Sequence, residues 1–194
     1  MEIFLNHILD WVILVGLLAA AFYTMKIIGR EKSTFREESY EVQFEDLLLY
    51  IPNWWTITEQ QNHGIKFERT DTRYDWYANY KYIPDDNEKD LPLLLEDILN
   101  EQKIEFDQDV VFETDSRVLF RDEDIQREFQ EVIRVEGKAS EDVNDRIYYD
   151  IYLMKRLNRP GYFIFESKSS VLNGLVEGPY FEESLSELSF IRES

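Results

Sequence analysis

One uninterrupted apolar segment near the N-terminal end constrains this chain more than any other feature. Residues 8–28, ILDWVILVGLLAAAFYTMKII, carry no formal charge between Asp10 and Lys26. A helix of that length extends roughly 31 Å at about 1.5 Å per residue, enough to cross a hydrocarbon core of about 30 Å. The sequence therefore predicts one transmembrane helix, retained as an anchor because no Lys or Arg precedes it as in a cleaved secretory signal.

The charges on either side of this span predict its orientation. No basic residue precedes the apolar run, whereas four Lys or Arg lie between positions 26 and 36. Because Lys and Arg favour the cytoplasmic side, we expect the N-terminus outside and the C-terminal domain in the cytoplasm. The opposite topology, with a periplasm-facing domain, is the alternative. The predicted organisation is a transmembrane helix over residues 1–30, a linker over 31–39 and one soluble domain over 40–194.

The span itself carries a candidate contact surface. Gly16, Ala20 and Thr24 follow one another at spacings of four, which places small side chains on one helix face. Such a stripe lets a second helix approach closely. Asp10 lies just inside the apolar zone, where an ionisable group favours a polar partner. We expect the span to contact a subunit of a membrane complex, or a second copy of the chain in a homo-oligomer.

Composition excludes several functions. The chain has 21 Lys plus Arg against 40 Asp plus Glu, a net charge of −19 that repels nucleic acid. It contains no Cys and two His, and it lacks nucleophile-elbow, phosphate-loop and dinucleotide-binding glycine patterns. We therefore predict no catalytic residue, no cofactor site and no metal ligand, and a protein that is not an enzyme. An acid-pair hydrolase is a further alternative, because the many carboxylates hide any functional pair.

Alternating and helical patterns predict an α+β domain. Residues 40–45 alternate apolar and polar side chains, and residues 76–83 show a similar period of two, as half-buried strands do. Residues 91–103 have apolar residues at helical spacing after the candidate N-cap Asp90. Asn158–Gly161 is typical of a turn between two strands. Mostly sequential strands with few helices indicate an antiparallel sheet with helices packed on it.

Aromatic residues concentrate in two neighbouring segments. Trp54–Trp55 and Trp76–Tyr77 are adjacent pairs, and neighbouring strand residues point to opposite faces of a sheet. One member of each pair can enter the core while the other is exposed, and exposed Trp and Tyr often anchor protein interfaces. We predict Trp55 and Tyr77 as exposed interface residues; a sheet covered on both faces would instead bury them all.

The order of these elements resembles the PsbP-like fold. The similarity lies in Tyr50-Ile51-Pro52-Asn53-Trp54 at the end of an early strand, in the hairpin over 146–166, and in the closing segment 181–190. The Trp54–Trp55 doublet and the membrane span depart from the family pattern. The family includes the photosystem II extrinsic subunit, small Ran-binding import factors and bacterial lipoproteins. The resemblance implies an antiparallel α+β domain with a terminal helix over 181–190, and Gly178–Pro179 is typical of the residues that open such a helix.

A function follows from the span, the acidity and this resemblance taken together. Proteins of the PsbP-like fold are mostly non-enzymatic factors of larger complexes, although fold does not establish function. The sequence therefore predicts a non-catalytic accessory or assembly subunit of a membrane protein complex. It would dock through its transmembrane helix and through an aromatic-rich sheet face. The periplasm-facing alternative is an anchored binding or chaperone-like module.

Overall fold

The computed structural model of the chain describes residues 14–17, 35–71, 75–84, 89–141 and 145–191. The chain divides into two compact units, Met1–Ser39 and Tyr40–Ser194, and the fold described below consists of the second unit together with Ser39. Its strands are β1 (Ser39–Phe44), β2 (Leu47–Pro52), β3 (Thr56–Gln61), β4 (Gly64–Glu68), β5 (Trp76–Ile83), β6 (Ile104–Glu113), β7 (Glu131–Glu141), β8 (Asp145–Arg156), β9 (Arg159–Ser170) and β10 (Ser189–Phe190). Its helices are α1 (Leu91–Gln102), α2 (Ser116–Leu119), α3 (Glu123–Glu128) and α4 (Val171–Ser186).

The strands form two sheets. Seven strands follow the order β3-β4-β5-β9-β8-β7-β6, and every neighbouring pair among them is antiparallel. A smaller sheet follows the order β1-β2-β10. The predicted turn after Arg156 joins β8 to β9, and Gly161 at the start of β9 has φ +101°, a conformation that favours glycine. The α+β class with antiparallel sheets and few helices is confirmed.

Each face of the large sheet supports its own apolar cluster. The larger cluster joins inward residues of both sheets with the C-terminal half of α4, where Phe181 and Leu185 are fully buried. The smaller cluster packs one side of α1 on strands β6 to β9, with Tyr149 and Ile151 at its centre. Along the regular parts of the strands of the large sheet, side chains alternate between these two faces.

Helix α4 differs from the prediction at both of its ends. The segment 181–190 was expected to be helical, with Gly178–Pro179 opening the helix, but α4 already begins at Val171 and ends at Ser186. Pro179 lies inside it, and the last two residues of the predicted helix form strand β10 on the small sheet. The part of this helix that was not predicted, residues 171–180, has exposed aliphatic side chains and buried polar or small ones.

The predicted membrane span falls largely outside the described residues, which include only its positions 14–17, in helical conformation. Among the residues that the structure describes, we find no helix with the length and hydrophobicity that a bilayer crossing requires.

Candidate protein-docking surface

The first ten residues of helix α4 have their polarity reversed. Amphipathic helices of globular domains normally turn their apolar stripe toward the core. Here Leu172 is 72%, Leu175 58% and Val176 54% exposed, and Tyr180 continues the same surface at 36%. The inward positions are instead polar or small: Asn173, Gly174, Glu177 and Gly178. We call Leu172, Leu175, Val176 and Tyr180 the α4 stripe.

The buried carboxylate of Glu177 fixes this part of the helix to the domain. Glu177 is 2% exposed, and its Oε2 accepts hydrogen bonds from Trp54 Nε1 at 3.2 Å and Trp55 Nε1 at 2.9 Å. Its other oxygen accepts from the guanidinium of Arg69, which also binds Asp71. A buried charge is tolerated only when it is paired and hydrogen-bonded, and Glu177 has three such donors.

The same contact corrects the prediction that Trp55 is exposed. Trp55 is 2% exposed and its ring packs 4.1 Å from that of Trp76. The strand alternation does not apply to the doublet, because Trp54 lies in a turn after β2 in which Trp55 N–H donates to Pro52 O at 3.0 Å. Both indole N–H groups can therefore reach one carboxylate. The partly buried Trp54, rather than Trp55, meets the α4 stripe, with its ring 4.9 Å from Tyr180 and nearly perpendicular to it.

A second ionic cluster lies on the other flank of α4. Arg134 on β7 donates to the fully buried Asp150 on β8 through Nε at 3.2 Å and Nη2 at 3.0 Å. Its Nη2 also reaches Glu136 at 2.6 Å and Glu182 of α4 at 3.2 Å. One guanidinium thus serves three carboxylates. Burial raises the pKa of Asp150 to about 7 despite the opposing effect of Arg134.

Close packing explains Gly174 on the inward side of α4, whereas Gly178 has room for a Cβ at ordinary contact distance. A Cβ added at Gly174 would overlap the ring and Cβ of Tyr148 on β8, and one at Gly178 would lie 3.5 Å from the same ring. The Tyr148 hydroxyl donates to Glu136. Helix α4 therefore approaches β8 closely through glycine, which leaves its aliphatic side chains on the outer surface.

Tyr77 lies on the opposite face of the large sheet and is half-buried. The Lys66 ammonium lies 5.2 Å from the centre of its ring, and burial raises the pKa of Tyr77 to about 12. On the same face, Glu166 accepts from Tyr149, Gln102, Asn79 and Lys81 at 2.6 to 3.2 Å. The interface role of Tyr77 stays a prediction.

Of the four residues predicted to make contacts within the span, the described ranges include Gly16 alone; Asp10, Ala20 and Thr24 lie outside them. A Cβ built at Gly16 meets nothing within 4 Å. Among the described residues, no group of three or more His, Cys, Asp or Glu side chains is arranged to hold a metal ion.

Sequence inspection missed the α4 stripe, although its signal is present. Leu172, Leu175 and Val176 follow the i, i+3, i+4 spacing of a helix face. The two glycines and Pro179 obscured that pattern, because these residues normally interrupt or end helices.

Neither the protein-family models nor the curated proteins include a match to this chain. Solved structures do resemble it. One is a Pseudomonas aeruginosa protein of unknown function, with 7% sequence identity, TM-score 0.46, and coverage of 81% of this chain and 99% of that chain. Another is the Saccharomyces cerevisiae Ran-binding protein Mog1p, with 8% identity, TM-score 0.47, and coverage of 78% of this chain and 95% of Mog1p. A third is cyanobacterial PsbP (CyanoP) from Synechocystis, with 12% identity, TM-score 0.47, and coverage of 79% of this chain and 94% of CyanoP.

Proposed function

We propose that this chain is a non-catalytic accessory or assembly subunit that docks to a partner protein through the α4 stripe. The observation that carries the proposal is the reversed polarity of the helix, with Leu172, Leu175 and Val176 more than half exposed above the buried Glu177. Contiguous exposed aliphatic side chains on one helix face are typical of protein interaction sites. Tyr180 within the stripe and Trp54 beside it supply aromatic rings, the residue types that most often dominate interface energetics.

The membrane part of the proposal rests on the sequence. The apolar run over residues 8–28 supports a span that holds the acidic domain at a bilayer, with the domain in the cytoplasm. The partner would then be a subunit of a membrane complex, contacted by the stripe of Gly16, Ala20 and Thr24 as well as by α4. The alternative with a periplasm-facing domain keeps the same docking surface and differs only in topology.

The test is co-purification of the tagged full-length chain from its native membrane in mild detergent. Burying the exposed part of one leucine contributes about 1–2 kcal/mol, and a carboxylate in its place would be desolvated without a partner. Leu175→Glu should therefore reduce the recovery of a stoichiometric membrane partner by tenfold or more. The matched control is Val118→Glu on α2, which is 67% exposed in the native chain. Equal recovery with both variants would refute docking through α4.

A further inference from the structure

The charges around the α4 stripe distinguish between the kinds of partner that could cover it. Helix α4 contains three glutamates and no Lys or Arg. Each of two of those glutamates shares one arginine with a second carboxylate: Glu177 shares Arg69 with Asp71, and Glu183 shares Arg121 with Glu187. The third, Glu182, is 54% exposed and shares Arg134 with two other carboxylates. The stripe is therefore bordered by negative charge in excess of its local counter-charge.

This excess charge lies on a defined flank of the stripe. Leu175, Gly178 and Glu182 follow at i, i+3 and i+7, one line along the helix surface. Glu136 Oε1 lies 4.0 Å from the Cβ position of Gly178, so the side chain of Glu136 borders the same line from strand β7. The Glu136 side chain is only 14% exposed, so a partner that covers Leu175 brings its own side chains mainly to Glu182, which shares Arg134 with Glu136 and Asp150.

This geometry disfavours a second copy and an anionic lipid surface. Two copies related by a two-fold axis through α4 would face each other with the same acidic border, and each chain carries a net charge of −19. Anionic lipid head groups would meet the same repulsion. A segment with apolar side chains and neighbouring Lys or Arg would satisfy both the stripe and its border.

We propose that the α4 stripe receives an apolar segment of another protein whose Lys or Arg side chains lie against Glu182. The inference rests on the proposed function and adds the chemical class of the partner. The basic character of the partner can be tested separately from its apolar contact, because Glu182 and Leu175 are different side chains on one flank of the helix.

The test is site-specific photo-crosslinking of the full-length chain in cells that natively make it. A benzophenone amino acid replaces Leu172 or Tyr180, with Val118 as the matched exposed control, and the crosslinked segment is identified by mass spectrometry. We expect both stripe positions to crosslink to one segment that is apolar and net basic, and the control position to give no such product. In the chains that carry benzophenone at a stripe position, Glu182→Gln should lower the yield of this crosslinked product about threefold and Glu182→Lys about tenfold. The matched Glu123→Lys on α3, where the glutamate side chain is 78% exposed, should leave the yield unchanged.

The outcomes separate the two proposals. Crosslinks from both stripe positions to a neutral or acidic protein segment, insensitive to Glu182, would overturn the basic-partner inference and leave the docking function intact. Crosslinks only to lipid, or only to a second copy of the chain, would overturn the inference and the accessory-subunit proposal together. Absence of any crosslink from the stripe positions would refute docking through α4 itself.

Discussion

Replacing Glu177 tests whether a buried carboxylate holds helix α4 in its reversed orientation. Glu177→Gln keeps an amide oxygen that can accept from both indoles, but it loses the ion pair with Arg69. A hydrogen bond to a charged group contributes about 1.5–3 kcal/mol, so we expect a loss of about 2 kcal/mol in unfolding free energy. Glu177→Ala also leaves two indole N–H groups unpaired, and the total loss should reach about 4 kcal/mol.

Urea unfolding followed by tryptophan fluorescence and far-ultraviolet circular dichroism measures both losses. With a slope of about 2 kcal/mol per molar urea, the alanine variant should shift the midpoint by about 2 M and the glutamine variant by about 1 M. Glu123→Gln on α3 is the matched control, because the exposed pair of Glu123 with Arg127 contributes at most about 0.5 kcal/mol. An alanine variant within 1 kcal/mol of the native chain would refute the role assigned to Glu177.

Further predictions concern protonation and packing. Because the pKa of Asp150 is raised to about 7, the contribution of this residue to stability is full below pH 4 and is lost as the pH rises through 7. In chemical denaturation, the unfolding free energy of the native chain relative to Asp150→Asn should therefore fall by about 1 kcal/mol per pH unit between pH 5 and 7. Burial opposes ionisation of Glu166, but the charge of Lys81 and the hydrogen bonds that Glu166 accepts outweigh the effect of burial and lower the pKa of Glu166. The native chain should therefore be more stable than Glu166→Gln above pH 4.5, and this difference should vanish on acidification. A stability difference that grows on acidification would contradict this assignment. Gly174→Ala should cost about 1–3 kcal/mol in urea unfolding, since its methyl group displaces a ring on β8, and a neutral effect would show that α4 can shift outward. Gly16→Leu should reduce partner recovery without changing the urea midpoint, and unchanged recovery would remove the span from the interface.

The sequence identified those elements whose local pattern agrees with their tertiary role. The turn at Asn158–Gly161 and the helix after Asp90 were predicted within a few residues, because turn chemistry and apolar spacing are local properties. The prediction for Trp55 was wrong because it assumed strand alternation in a segment that turns. The partner that buries its indole, Glu177, lies 122 residues further along the chain, and no local pattern could reveal it.

The N-terminal part of helix α4 was missed for a related reason. Sequence reasoning assigns apolar residues to the core, so a helix that buries Glu177 and exposes Leu172 contradicts the rule by which helices are found. Pro179 also suggested a helix start, although it lies within α4. Departures of this kind from local consistency are expected at functional sites, where the sequence serves a contact beyond the fold itself.

Because the polarity of α4 is reversed, its outer and inner sides should contribute differently to the stability of the domain. If the outer leucines served the fold, a polar residue of equal helix propensity would destabilise the chain. Leu175 is 58% exposed, and Gln has nearly the helix propensity of Leu, so Leu175→Gln should change the unfolding free energy by less than about 0.5 kcal/mol. We expect the opposite for the inner Glu177, since replacing it should destabilise the domain. A stripe that adds little to stability, held outward by a carboxylate that adds much, is an arrangement in which the folded domain presents an apolar surface it does not itself require.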